Sequence, residues 1–218
     1  MKIEYIKKSL FAEIVPFFEG HGLIYKKSSD EFVKSSTKDI SHHFQISFFK
    51  WPNVCFIQVF FSTESKKIKF FQTAISKDLK NYPLLCAEAN HIKDNDISFL
   101  SRDNKLGIYI YSETDIVDAA QTIKHYYRTT FLSFCAHFDS LEKLDHYFND
   151  NPNFTYLKGT FSIIQGIILA KIMNRNDIDI LLEVYYEKIK DINNPRLLNE
   201  IMKYYNKLTD KNSKIDWY

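Results

Sequence analysis

The chain is poor in the residues that usually announce a chemistry. Of its 218 residues only three are cysteine. Cys55, Cys86 and Cys135 are far apart and odd in number, which argues against a disulfide framework and suits a reducing setting. Glycine and proline, five of each, are scarce. That speaks against long flexible linkers, collagen-like sequence and glycine-rich phosphate loops. Among 29 basic residues only Arg102, Arg128, Arg175 and Arg196 are arginine. Proteins that read bases or clamp phosphates lean on arginine, and a formal charge of +2 gives no general pull toward nucleic acid or anionic membranes. No nucleic-acid partner is expected.

Long apolar runs are missing as well. The longest, Phe161 to Ala170, contains Ser162 and Gln165 and reaches about half of the ~20 residues a membrane span needs. The stretch MKIEYIKKSLFAEIVPFFEG has a basic start and apolar residues. However, Glu4, Glu13 and Glu19 interrupt it and no small-residue cleavage site follows, so it does not read as a signal peptide. A soluble, cytoplasmic protein without a membrane partner is expected.

Aromatic residues are abundant: 19 Phe and 14 Tyr raise the aromatic share to 16%. They concentrate in His42 to Phe61, HHFQISFFKWPNVCFIQVFF, which reads as two strands joined at Trp51-Pro52-Asn53. Phe44, Ile46 and Phe48 alternate with polar residues in the first. In the second, Cys55, Ile57, Val59 and Phe61 share one face and Phe56, Gln58 and Phe60 the other, the pattern of a central strand.

Ahead of this pair, Ile3, Ile6, Leu10, Ile14 and Phe17 keep helical spacing, with Pro16 bending the helix or marking its last turn and Gly20-His21-Gly22 ending it. Leu23–Tyr25 and Glu31–Lys34 read as short strands. After Ser65 the pattern weakens: Phe70–Leu79 fits a strand end or a helix, and Pro83–Asn90 suggests a helix with proline at its first position. Ile97–Leu100 and Leu106–Tyr111 read as a strand pair. Thr114 then opens a long helix through Ile116, Ala120, Ile123, Tyr127, Phe131 and Phe134. Ser140 caps Leu141–Phe148, and Phe161–Met173, Ile178–Ile189 and Pro195–Leu208 follow as helices.

This order predicts an α+β fold: an N-terminal helix, an antiparallel sheet meander and a helical C-terminal half. The expected boundary lies near Asp139-Ser140. It separates a helix-plus-sheet region, 1–139, from a helical region, 140–218, the two sharing one core.

Candidate sites are few, and each has a plain alternative. His42 and His43 are adjacent, so on a strand they point to opposite faces and cannot chelate one ion; no HxH, HExxH or CxxC spacing supports them. Cys135 and His137 are two apart on a helix and diverge, which leaves Cys135 as core packing among phenylalanines. Asp94, Asp96 and Asp103 lack the glycine and glutamate of a calcium loop. Glu183 and Glu187 fit a solvated helix face with Lys190 nearby. Gly166 reads as a close helix–helix contact. Lys66-Lys67-Ile68-Lys69 followed by Phe70-Phe71 could grip a single strand by charge and stacking, but reads as a soluble loop. All three cysteines are expected in apolar settings. Each of the pairs Tyr126-Tyr127, Tyr185-Tyr186 and Tyr204-Tyr205 should turn one ring inward and one outward, and surface tyrosine is a trait of protein interfaces. No catalytic, cofactor-binding or metal-ligating residue is assigned, and no cofactor is expected.

Phe18-Glu19-Gly20-His21-Gly22-Leu23, the meander after it, and Phe138-Asp139-Ser140-Leu141-Glu142-Lys143-Leu144 opening a helical tail resemble a class of small bacterial α+β proteins. Some of these look like immunity proteins of bacterial toxin systems. The resemblance implies a non-enzymatic protein-binding domain that occludes a toxin partner, and it carries over no catalytic residue. The competing expectation is a small-ligand binder or enzyme whose site gathers dispersed residues in an aromatic pocket, with Tyr109, Tyr111 or His43 as polar members. A third is a helical tail that self-associates.

Overall fold

A computed structural model of the chain describes residues 2–89, 107–150, 161–210 and 215. The expected strand Ile97–Leu100 lies outside these residues, as do Leu106, His91, Asp94, Asp96 and Asp103. The architecture is α+β, with an N-terminal helix, an antiparallel sheet of consecutive strands and a helical C-terminal half. Two compact units are formed, Met1–Thr63 with Cys86–His137, and Glu64–Leu85 with Phe138–Tyr218.

The first unit is built on helix α1, Ile3–Gly20, whose buried stripe is Ile6, Leu10, Phe11, Ile14 and Phe18. Pro16 sits inside it without ending it. The end comes where Gly22 takes φ +80, a left-handed conformation that glycine adopts without strain. Leu23 N–H then reaches back to the Phe18 carbonyl (3.1 Å) and Gly22 N–H to that of Glu19 (2.9 Å), so two otherwise orphaned carbonyls are satisfied.

Strands β1 (Ile24–Lys26), β2 (Glu31–Ser35), β3 (Ile40–Trp51), β4 (Val54–Ser65) and β5 (Leu85–Glu88) lie side by side in chain order, and β6 (Ile108–Ile110) also pairs with β4. Register is set by the aromatic alternation, with Phe32 opposite Phe44 and Val33 opposite His43. Phe44, Ile46, Cys55, Ile57, Val59 and Phe61 are buried as expected, whereas Phe48 is only half-buried, beneath the Lys7 ammonium. One face of the sheet carries an aromatic core: Phe18 stacks on Phe32 at 4.2 Å, and Phe44 and Phe61 meet Phe131 at 5.3 and 5.2 Å. Phe131 belongs to a π-helical turn, Tyr127–Phe131, between α3 (Asp115–Tyr126) and α4 (Leu132–His137). The extra residue of a π turn shifts the helical phase, and the buried series continues through Phe134 and Cys135.

Two expectations for the middle of the chain change. Leu85–Glu88, inside the stretch expected to be helical, is a strand: Leu85 and Ala87 are buried, Cys86 is exposed, and pairing with β4 satisfies the backbone. Pro83 precedes that strand instead of opening a helix. Lys66–Ile75 is a helix, α2, and not a loop. Its first turn is basic, which opposes the helix dipole. The Ser65 side chain nevertheless accepts from Ile68 N–H (3.1 Å), and Ile68, Phe71, Gln72 and Ile75 are buried.

The second unit adds α5 (Leu141–Asp145), a π turn over His146–Asp150, α6 (Ser162–Ile172), α7 (Ile178–Lys190) and α8 (Pro195–Thr209) to α2. The Ser140 side chain caps α5 by accepting from Lys143 N–H (3.2 Å). Lys207 of α8 donates to the Ala74 and Ile75 carbonyls, both at 2.9 Å, at the C-terminal end of α2. Gln165, buried in α6, donates through Nε2 to the Pro83 carbonyl at 2.8 Å. No helix among the described residues is long and apolar enough to cross a membrane.

Candidate functional site

The outward side of the first unit's sheet carries a cluster of partly exposed rings. Alternation along β3 sends Phe49 and Trp51 to the face opposite Phe44, and β4 sends Phe56 there. Antiparallel register places Tyr109 of β6 directly opposite Phe56 and Ile110 opposite Cys55. Phe56, 7% exposed, is the floor of the cluster. Trp51 stacks over it at 5.5 Å with planes 18° apart, Tyr109 lies at 5.2 Å and Phe49 at 5.8 Å. Tyr109 and Tyr111 stack at 6.4 Å, again 18° apart. Around that floor Phe49 is 43%, Trp51 50% and Tyr111 68% exposed.

Two local devices hold this arrangement. Gly107, φ +113, leads into β6 so close to β4 that a Cβ would stand 2.5 Å from the Ile57 carbonyl oxygen and 2.7 Å from the Phe56 ring. After β6, Asp115 Oδ2 accepts from the backbone N–H groups of Tyr111 and Ser112, each at 2.8 Å. Those bonds depress the carboxyl's pKa below its ordinary value and fix the turn that presents Tyr111.

A second cluster lies within the helical unit. Arg175, in the turn after α6, donates through Nε and Nη2 to both oxygens of Asp177 at 2.8 and 2.9 Å, a bidentate pair. Its Nη1 donates to Asp145 Oδ2 (3.0 Å) and Asp150 Oδ1 (2.8 Å). The guanidinium is held well above its ordinary pKa by Asp177 and by the other carboxylates, and it pulls Asp150 and Asp177 below theirs. His146 Nδ1 lies 2.6 Å from the other oxygen of Asp150. Asn149, buried, donates through Nδ2 to Asp145 Oδ1 (2.6 Å) and to the Gly166 carbonyl (3.1 Å). The Tyr185 hydroxyl donates to Asn149 Oδ1 at 2.7 Å, and burial pushes its pKa far up. Four of the five guanidinium donors are used, and the polar atoms answer one another. The arrangement is a clasp that ties α5 and its π turn to the turn after α6.

The other sequence candidates are dispersed. His42 and His43 do face opposite ways: His42 is buried, its Nδ1 2.9 Å from Thr63 Oγ1, and His43 Nδ1 is 3.2 Å from Glu31 Oε2. Burial opposes ionisation of Glu31, yet hydrogen bonds from Lys26 and His43 bring its pKa below the ordinary value. Cys135 is buried while His137 turns its Nδ1 to the Ser133 carbonyl at 2.9 Å. Glu187 pairs with Lys190 at 2.7 Å on an exposed face. Gly166 is a close contact as expected: a Cβ there would collide with the Tyr185 hydroxyl. Tyr185 is 3% and Tyr186 37% exposed, one ring in and one out. Cys86 departs from expectation. It is exposed on its strand, although crowding around the sulfur still raises its pKa, as burial does for Cys55.

Among the described residues no group of three or more His, Cys, Asp or Glu is placed to hold a metal ion. A cavity of about 30 Å³ beside Trp51, Cys55 and Ile110 and one of about 10 Å³ beside Gln72 and Tyr82 are water-sized. A depression of about 490 Å³ along α7 is lined by Glu183, Tyr186, Lys188 and their helix neighbours and opens to solvent. Tyr109 and Tyr111 do come together, but His43 is held by Glu31.

The sequence points to Tyr109 and Tyr111 as polar members of an aromatic site, but not to their neighbours Phe49, Trp51 and Phe56, and not to the Arg175 cluster. Trp51 and Tyr111 stood in plain view at a hairpin turn and a strand end. Their meeting depends on β6 returning to β4, which local pattern does not encode. Comparison with family models, with curated proteins and with solved structures finds no match to this chain.

Proposed function

We propose that the protein is a non-enzymatic binding domain of the immunity type, which docks on a toxin partner in the cytoplasm and occludes it. The observation carrying this reading is the ring cluster Phe49, Trp51, Tyr109 and Tyr111 over Phe56, half-exposed on the outer face of the sheet. Aromatic rings offer large contact area at little conformational cost, and they dominate the energetics of protein interfaces. The cavities beside Trp51 and Gln72 are far smaller than the ~300–1,000 Å³ of small-molecule pockets. The depression of about 490 Å³ along α7 falls in that range, but it is open to solvent and lined by one helix and its cap rather than by converging elements.

The test compares the wild-type 218-residue chain with the double variant Trp51→Ser/Tyr111→Ser for capture of a partner from its host's lysate. Direct binding is then measured with the purified partner, and its inhibition is scored. Both substitutions lie at exposed positions, so the circular dichroism of the variant should match the wild type. Each ring should contribute about 2 kcal/mol, so each single variant should bind ~30-fold and the double variant roughly 700-fold more weakly. A partner held equally by both proteins, or no protein partner at micromolar concentration, would overturn the proposal.

A further inference from the structure

We draw no further inference here: the strongest candidate, the half-exposed aromatic cluster where the β3–β4 hairpin meets β6, belongs to the docking face already proposed, and nothing in the structure shows what covers it.

Discussion

At the scale of single residues, the tightest constraint is between Gly166 and Tyr185. Glycine inside a helix costs about 1 kcal/mol against alanine, so its presence in α6 signals a close approach. The sequence does not say what approaches, because the Tyr185 ring arrives from the next helix. Gly166→Ala should therefore destabilise the protein by about 1–3 kcal/mol despite the better helix propensity, since the buried tyrosine has no room to swing aside. Tyr185→Phe should cost about 1–2 kcal/mol by leaving Asn149 Oδ1 without its donor. Combined, the two should cost less than their sum, because the displaced hydroxyl is already gone. Urea unfolding of the three variants measures this, and a neutral Gly166→Ala or strictly additive costs would contradict it. Reactivity of the cysteines is a second residue-level outcome. A maleimide should modify Cys86 in the native protein, more slowly than a free thiol because its pKa is raised, and should reach Cys55 and Cys135 only on unfolding. Rapid native labelling at Cys55 or Cys135 would refute the placement of those residues. Apolar neighbours in sequence suggest burial for all three. Strand alternation, visible only once Leu85–Glu88 is known to be a strand, turns Cys86 outward.

Elements with long, clean periodicity were readable: α1, the β3–β4 pair, the helix opened at Thr114 and α6 to α8 all lie where the apolar spacing puts them. Short elements divide: β1, β2, β6 and α5 fall in or beside the stretches expected for them, whereas α2 and β5 do not. At α2 and β5 a local signal, like charges on a first turn or proline ahead of a candidate helix, lost to burial and to a strand edge that needed pairing. The Arg175 clasp was invisible for a related reason, since it ties the end of α5 and its π turn to the α6–α7 turn across 25 to 30 positions. Its pH behaviour follows from charge. Asp150 and Asp177 bind protons less tightly folded than unfolded, so their contribution is complete above the unfolded pKa of ~4 and declines as pH falls through the lower folded values. Arg175→Ala removes that contribution and leaves the Asp145 carboxylate, only 8% exposed, without its cation. Breaking a buried pair in this way costs about 3–5 kcal/mol, and the variant should fall at the lower end of that range because Asn149 still donates to Asp145. The deficit should be largest near neutral pH and shrink as pH falls below ~4, where Asp150 and Asp177 take up protons in the unfolded chain before they do so in the folded wild type. Chemical denaturation at a series of pH values would show it. A deficit that is constant with pH would mean that the clasp acts by packing rather than by charge.

For the whole molecule, the decisive feature is that neither compact unit is one continuous stretch of chain. The helical unit takes Glu64–Leu85 from the middle of the sequence and joins it to everything from Phe138 onward. A sequence read from one end to the other sees only a change from mixed to purely helical patterning near Asp139-Ser140, and α2 falls on the far side of that change. The consequence can be measured on residues 140–218 expressed alone. That fragment lacks α2, which packs against α6 and α8, and so exposes the apolar surface that Ile68, Phe71 and Ile75 cover. It also lacks the Pro83 carbonyl, so the buried Gln165 amide loses its acceptor, at a cost of about 1–3 kcal/mol. Lys207 loses the two carbonyls it bonds. Since ordinary domains are stable by only about 5–15 kcal/mol, these losses together should abolish cooperative folding. The expected fragment is helical by far-ultraviolet circular dichroism but melts without a sigmoidal transition, and fusing residues 64–85 to it should restore one. Cooperative unfolding of 140–218 without that segment would show that α2 is dispensable to the core of this unit.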